Sequence, residues 1–209
     1  LLSMVMLLLS SCASLSPNGV GRVKHYSFDN EELPEQFDGY KVAFISDIHY
    51  PSLFNRNRLA KAVRRLRNES PDLLLLGGDY VTSDIYLDEL FDSISVVCPK
   101  DGVFAVLGNH ERRNEEKVRM AMASNGIELL ADSVVEINRG GDAIYIAGIY
   151  DSFSYDPLVV QPAETVDGES CTILLCHTPD YAELSSTTAD LVFSGHTHGG
   201  QVSLFGLYT

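Results

Sequence analysis

Five short stretches of this chain carry side chains of the kinds that hold metal ions, and each is entered from an apolar run. Val42-Ala43-Phe44-Ile45 leads through Ser46 into Asp47-Ile48-His49. Leu73 to Leu76 leads into Gly77-Gly78-Asp79, and Val103 to Leu107 into Gly108-Asn109-His110-Glu111. Ile173 to Cys176 leads into His177, and Leu191-Val192-Phe193 into Ser194-Gly195-His196-Thr197-His198-Gly199-Gly200. Of the six histidines, only His25 lies elsewhere. A lone His-x-His reads as a polar turn with solvated rings; the same design five times over does not. Carboxylates, an amide and neutral imidazoles form a mixed oxygen and nitrogen donor set. That set suits Mn, Fe, Zn or Co better than a thiolate or calcium site does. There are more donors than one tetrahedral ion takes. Two ions fit better, since two-metal hydrolytic sites hold their ions about 3.5–4 Å apart and a carboxylate can bridge them.

The elements that position these side chains follow from the apolar runs themselves. Short, continuous apolar runs read as strands buried on both faces, and open α/β sheets bind ligands at the carboxyl ends of their strands. Between the first runs lie helical patterns. Leu59, Ala62, Val63 and Leu66 share one face of a helix over 55–68, whose other face carries Arg56, Arg58, Lys61, Arg64, Arg65 and Arg67. Such a basic face reads first as solvated, and second as a surface for a membrane or an anionic substrate. Leu87, Leu90, Phe91, Ile94 and Val97 mark a second helix, and a third runs from Asn114 towards Gly126 with Glu115 and Glu116 in its first turn. Lys24 to Phe28 suits an opening edge strand, and Val134 to Ile149 reads as a β-hairpin turning at Gly140-Gly141. The order is β-α-β-α-β-α and then strands, which predicts an α/β domain with a second sheet packed on the first.

Composition narrows the class of function. The 209 residues, 45% hydrophobic, suit one globular domain with a full-sized core. A formal net charge of -14 argues against general nucleic-acid binding, which depends on neutralising phosphates. It leaves open a small phosphorylated substrate, because bound cations reverse the charge at a site. Residues 1–12 read as the remnant of a signal peptide whose end, Leu9-Ser10-Ser11-Cys12, resembles a bacterial lipobox; an ordinary cleaved signal is the alternative. Residues 13–23 then form a tether, and residues 24–209 the domain. This predicts an exported protein of the bacterial cell envelope, held to the membrane by a lipid anchor. Cys98, Cys171 and Cys176 lack zinc-site spacing and read as small buried residues.

Taken together, Asp47-Ile48-His49, Gly78-Asp79, Gly108-Asn109-His110-Glu111, His177 and Gly195-His196-Thr197-His198 resemble the calcineurin-like metallophosphoesterases, in content and in order. The likeness spans most of 41–200. Leu33-Pro34 to Gly39, Thr178-Pro179 and the ending Gly-His-Thr-His-Gly-Gly-Gln look like the branch of exported or membrane-associated phosphohydrolases. That branch includes enzymes similar to UDP-2,3-diacylglucosamine pyrophosphatase. The resemblance implies a four-layer sandwich, two packed β-sheets flanked by helices. It implies that Asp47, His49 and His198 hold one metal, that Asn109, His177 and His196 hold the other, and that Asp79 bridges. His110 would sit beside the metals as a catalytic group without ligating them. The implied reaction is hydrolysis of a phosphodiester or pyrophosphate bond by a hydroxide that two divalent ions activate, on a lipid- or nucleotide-linked substrate.

Two readings compete with this one. Gly78-Asp79-Tyr80-Val81 and Gly108-Asn109-His110-Glu111 are also similar to Ser/Thr protein phosphatases, but those continue with Asp-Arg-Gly where this chain has Thr82-Ser83-Asp84. A non-catalytic metal-binding scaffold on the same fold is the other. Such scaffolds usually lack ligands or the non-ligating histidine, and this chain has them all. Glu111 reads as a support for the His110 loop, and Arg112 and Arg113 as solvated or in reach of a substrate phosphate. Tyr50, Tyr80 and Asp151 are pocket candidates without a role. The family domain continues with further strands beyond the last histidine motif, so the chain is expected to lack the strands that close the second sheet.

Overall fold

A computed structural model describes residues 3–9 and 23–198, with side chains from Val23 onward. Cys12, the tether residues 13–22 and Gly199-Gly200 lie outside the described residues. Two sheets form the centre. The first has six strands in the order β2-β1-β3-β4-β5-β6: Val23–Asp29, Ser3–Leu9, Lys41–Ile45, Leu73–Leu76, Val103–Ala105 and Ile127–Leu129. The second has the order β10-β9-β8-β7: Leu191–Ser194, Thr172–Cys176, Asp142–Gly148 and Ser133–Arg139. Helices α1 (Arg56–Glu69), α2 (Leu87–Ser95) and α3 (Glu115–Ser124) cover the outer face of the first sheet, and α4 (Pro179–Ser185) packs on the second.

Strand β4 shows why the layers assemble. All four of its leucines are fully buried. Because side chains alternate along a strand, Leu74 and Leu76 pack among Leu59, Leu66, Leu90 and Phe91 of the helices. Leu73 and Leu75 point the other way, into the seam between the sheets with Phe44, Phe104, Ile146, Ile173 and Phe193. Truncating any of these leucines to alanine costs about 2–5 kcal/mol. A third cluster, Ala147, Ile149, Leu174, Cys176 and Tyr181, fills the outer face of the second sheet. The four-layer α/β architecture therefore agrees with expectation, and the central strands β3, β4 and β5 run parallel, so their C-terminal ends open on one rim.

Local signals explain the helix ends. The Asn55 side chain caps α1 by accepting the Arg58 N–H at 3.0 Å, and Gly140 and Gly141 supply the positive φ (58° and 98°) of the β7–β8 turn. Ser3–Leu9, read from the sequence as the apolar end of a leader, stands as β1 between β2 and β3. Strand β6 and helix α4 were not anticipated: three residues and seven residues are too short for a period to show. Cys98 departs from its expected burial. It lies exposed just past α2 with φ 50°, while Cys171 and Cys176 are buried on opposite faces of the second sheet. Burial pushes both buried thiols up to about 12, so neither is a ready nucleophile.

Candidate metal centre

The metal-ligand residues stand where the strands stop, and the backbone there is unusual. Asp47 (φ 55°), His49 (43°), Asp79 (56°), His196 (65°) and His198 (52°) all adopt left-handed conformations. Residues with a Cβ pay about 1–2 kcal/mol for this geometry, and such strain collects at functional sites when the surroundings enforce it. Here the enforcement is visible. The Asp47 N–H donates to the Gly78 carbonyl at 3.0 Å, the His49 N–H to Asp79 at 3.0 Å, and the Gly195 N–H to His177 at 2.9 Å. The loops after β3, β4, β9 and β10 are thus laced to one another. Gly108 and Gly195 allow the close approach: a Cβ on Gly108 would strike Asp79 and the His177 ring, and one on Gly195 would strike Ser46 and Asp47.

Asp79 is the hub of the cluster. Its Oδ1 lies 3.5 Å from His177 Nε2 and its Oδ2 3.5 Å from His49 Nε2. His198 Nε2 lies 3.5 Å from Asp47 Oδ1 and 3.3 Å from His49 Nε2. Three sets of ligand atoms converge to within 4.8 Å of one another: Asp47, His49 and His198; Asp79, His177 and His196; and His49, Asp79 and His110. The Asp47 carboxylate also accepts the His196 N–H at 3.1 Å and the Ser46 hydroxyl, while Asp79 Oδ1 accepts the His110 N–H at 3.1 Å.

These residues fit bound cations. His177 is fully buried, and its Nδ1 sits 2.7 Å from the Gly77 carbonyl oxygen. A carbonyl can only accept, so Nδ1 carries a proton whatever the charge of the ring, and the neutral ring presents its Nε2 lone pair to the cluster. Among the described residues, that Nε2 has no hydrogen-bond partner, and the buried His198 Nδ1 has none either. An unpaired buried nitrogen is costly unless something else meets its lone pair, and a ligated His whose other nitrogen binds a backbone carbonyl is a usual metal ligand. Burial lowers the pKa of His49, which favours the neutral imidazole that a metal requires. Burial opposes charge on His177, but Asp79 outweighs it and raises this pKa; in return His177 overcomes burial to hold Asp79 down at about 2.

The structure brings together Asp47, His49, Asp79, His177, His196 and His198, the six charged or imidazole members of the expected ligand set. Asn109, the expected amide ligand, is exposed on the loop between Gly108 and His110. His110 comes nearer than expected, its ring centroid 4.6 Å from that of His49. His25 stays away, on β2 beside Glu69. Phe153 was not singled out from the sequence. Its ring stands edge-on to His196 at 5.1 Å and 5.8 Å from His177, walling the site, and Arg112 lies over it while pairing with Asp151. Tyr80 is buried, its hydroxyl donating to the Val106 carbonyl at 2.6 Å and accepting the Gly78 N–H at 3.1 Å.

Comparison with known proteins decides the family. Residues 40–200 match the family model described as calcineurin-like phosphoesterase. The chain belongs to that family. A metallophosphoesterase of Aquifex aeolicus, described as uncharacterized, is 32% identical over 197 residues, covering 88% of this chain and 72% of that protein. The Escherichia coli protein named phosphodiesterase YaeI is 28% identical over 170 residues, covering 78% of this chain and 62% of its own length. Among solved structures, the Haemophilus influenzae NAD nucleotidase aligns with 94% of this chain and 38% of its own, at 17% identity and a TM-score of 0.49. As a calcineurin-like phosphoesterase, the chain is a metal-dependent hydrolase of phosphoric ester bonds, and the cluster around Asp79 is its candidate metal centre.

Proposed function

We propose that this calcineurin-like phosphoesterase cleaves a phosphodiester or pyrophosphate bond at a centre of two divalent ions. Asp47, His49 and His198 would hold one ion, Asn109, His177 and His196 the other, and Asp79 both. One observation carries the reading: the two oxygens of Asp79 face histidines of two different clusters, a placement that suits a carboxylate shared between two ions. Bound divalent ions would bring a water's pKa from 15.7 towards about 7 and neutralise charge on phosphoryl oxygens. The chain's own part is to orient and to move a proton. Asp79 and the loops laced to it fix the histidine positions, and the Phe153 ring keeps bulk water off one side. Water adds to phosphorus and releases a proton to solvent, the bond to the leaving oxygen breaks, and that oxygen takes a proton from His110, which solvent then restores. His110 suits the task because it is the exposed member of its cluster, open to substrate.

A relative named a phosphodiesterase supports the diester reading. Attachment to the cell envelope through a lipid on Cys12 remains part of the proposal and rests on the sequence alone. The test is a matched panel of phosphomonoesters, diesters and nucleotide-sugar pyrophosphates, assayed beside metal analysis of the same protein. About two transition-metal ions per chain and turnover of diesters or pyrophosphates are expected. Full activity with one ion, or turnover of monoesters alone, rules the reading out.

A further inference from the structure

A cleft of about 480 Å³ opens beside His110, between the loop after β4 and the loop leading into α3. Its volume falls within the roughly 300–1,000 Å³ of small-molecule sites. His110 stands on its lining, and Thr82 and Ser83 contribute hydroxyls. Two cations, Arg113 and Lys117, and two carboxylates, Asp84 and Glu111, line it as well. Lys117 Nζ is 3.2 Å from Asp84 Oδ2, so those two charges meet each other. Glu111, also on the lining, spends both carboxylate oxygens on buried backbone N–H groups. Arg113 is left over. It is exposed and makes no ion pair among the described residues, in contrast to Arg112 next to it, which Asp151 neutralises.

One cation without an ion-pair partner among the described residues therefore lines a cleft on a chain of net charge -14, reached from the metal centre past the residue proposed to protonate the leaving group. We infer that the cleft receives the leaving group of the substrate and that Arg113 binds an anionic group carried on it. This rests on the hydrolase reading above and narrows it to substrates with a second anion on the departing side. A planar guanidinium pairs with phosphate or carboxylate through two parallel N–H bonds, and the Ser83 hydroxyl on the same lining is a further donor for those oxygens, while that of Thr82 donates to the Tyr50 carbonyl. A phosphoanhydride meets this description, because its departing half is itself a phosphate; a diester of a carboxylated or phosphorylated alcohol meets it too. A diester with a neutral leaving group does not.

The test is equilibrium binding to the metal-loaded full chain, with metal content checked after each titration. Methylphosphonate offers one anion, methylenediphosphonate a second across an uncleavable P–C–P link, and phosphonoacetate a carboxylate in its place. In wild type, a ligand with two anions should bind at least tenfold more tightly than methylphosphonate. Arg113→Gln should collapse that gap, and Arg113→Lys should restore part of it. Whichever of the two larger ligands loses more identifies the second anion as phosphate or carboxylate. A gap that survives in Arg113→Gln, or an equal weakening of all three ligands, overturns the assignment. None of this needs turnover. Binding as expected in a protein that hydrolyses neither diesters nor pyrophosphates would sink the activity reading and spare the cleft.

Discussion

Glu111 Oε2 accepts the backbone N–H of Asp79 at 2.9 Å, so a buried carboxylate on the loop after β5 fixes the main chain of the loop after β4. The same oxygen takes the Gly108 N–H at 2.9 Å, and Oε1 takes that of Tyr80 at 2.9 Å. One side chain thus holds three amides that would otherwise be stranded beneath the metal centre. Burial pushes the Glu111 carboxyl up and the three N–H groups draw it back, with burial prevailing. The clamp holds the loop on which Asp79 takes its left-handed conformation.

Removing the clamp should therefore act on stability before chemistry. Each buried N–H left without an acceptor costs about 1–3 kcal/mol. Glu111→Ala should lower the stability of metal-free protein by roughly 2–5 kcal/mol, since water recovers part of the loss. Glu111→Gln keeps one acceptor oxygen and should fall between the two. Thermal unfolding of the three proteins without metal reads this order. An unchanged melting temperature in Glu111→Ala would show that the amides find other partners.

Asp79→Asn tests the bridge. The amide keeps one oxygen acceptor and loses both the second oxygen and the charge. Metal content should fall from about two ions per chain to one or fewer. The activity loss should exceed the roughly 10–100-fold that removal of a supporting partner causes. Asp47→Asn, which touches only one cluster, should leave the ion held by His177 and His196 in place. Metal analysis of the two variants side by side decides it; equal losses argue against a bridging role for Asp79.

The contrast between Asp79 and Phe153 shows what a sequence can disclose. Asp79 was legible because it ends an apolar run, and the same juncture recurs at Asp47, Asn109, His177 and His196. Strand burial and site chemistry are written in one local pattern there. Phe153 lies in an irregular stretch after β8 that carries no period, so its place against His177 and His196 depends on long-range packing. The left-handed conformations were likewise hidden, because they fall on Asp and His residues and not on glycines. The Glu111 clamp was half legible. Its position after His110 suggested support for that loop, but not the link to Asp79 and Tyr80 across the sheet.

His110 is separated from the ligands by its leaving-group dependence. If it supplies the proton to the departing oxygen, His110→Asn should keep its metal and lose roughly 10²–10⁴ in turnover on alkyl esters. On nitrophenyl esters, whose leaving oxygen needs no proton, the loss should be much smaller. His196→Asn should lose metal and damage every substrate alike. The approach of the His110 ring to His49 makes the alternative concrete. Should His110→Asn shed an ion, His110 belongs to the third donor set as a ligand.

Acidity supplies the last test, through His177. In metal-free protein its pKa is raised above the ordinary 6.5, because Asp79 outweighs the burial that opposes charge. A raised folded value means that the charged pair stabilises the fold fully below about 6.5, and that this contribution is lost as pH climbs through the raised value. Asp79, held at about 2 against an ordinary 3.8, contributes above 3.8 and loses its contribution as pH falls through about 2. The metal-free protein should therefore gain from the pair between roughly pH 4 and 6.5. Metal binding requires the neutral imidazole, with the Nε2 lone pair free, so a cation must displace the proton. Below the raised value, adding Mn or Zn to weakly buffered protein should release about one more proton per chain in wild type than in His177→Gln. Towards pH 9 the difference should vanish. His49 should add less than His177, since burial lowers its pKa below the ordinary value. Equal proton release from wild type and His177→Gln at pH 6 would mean that His177 is already neutral, and that its contact with Asp79 is not an ion pair.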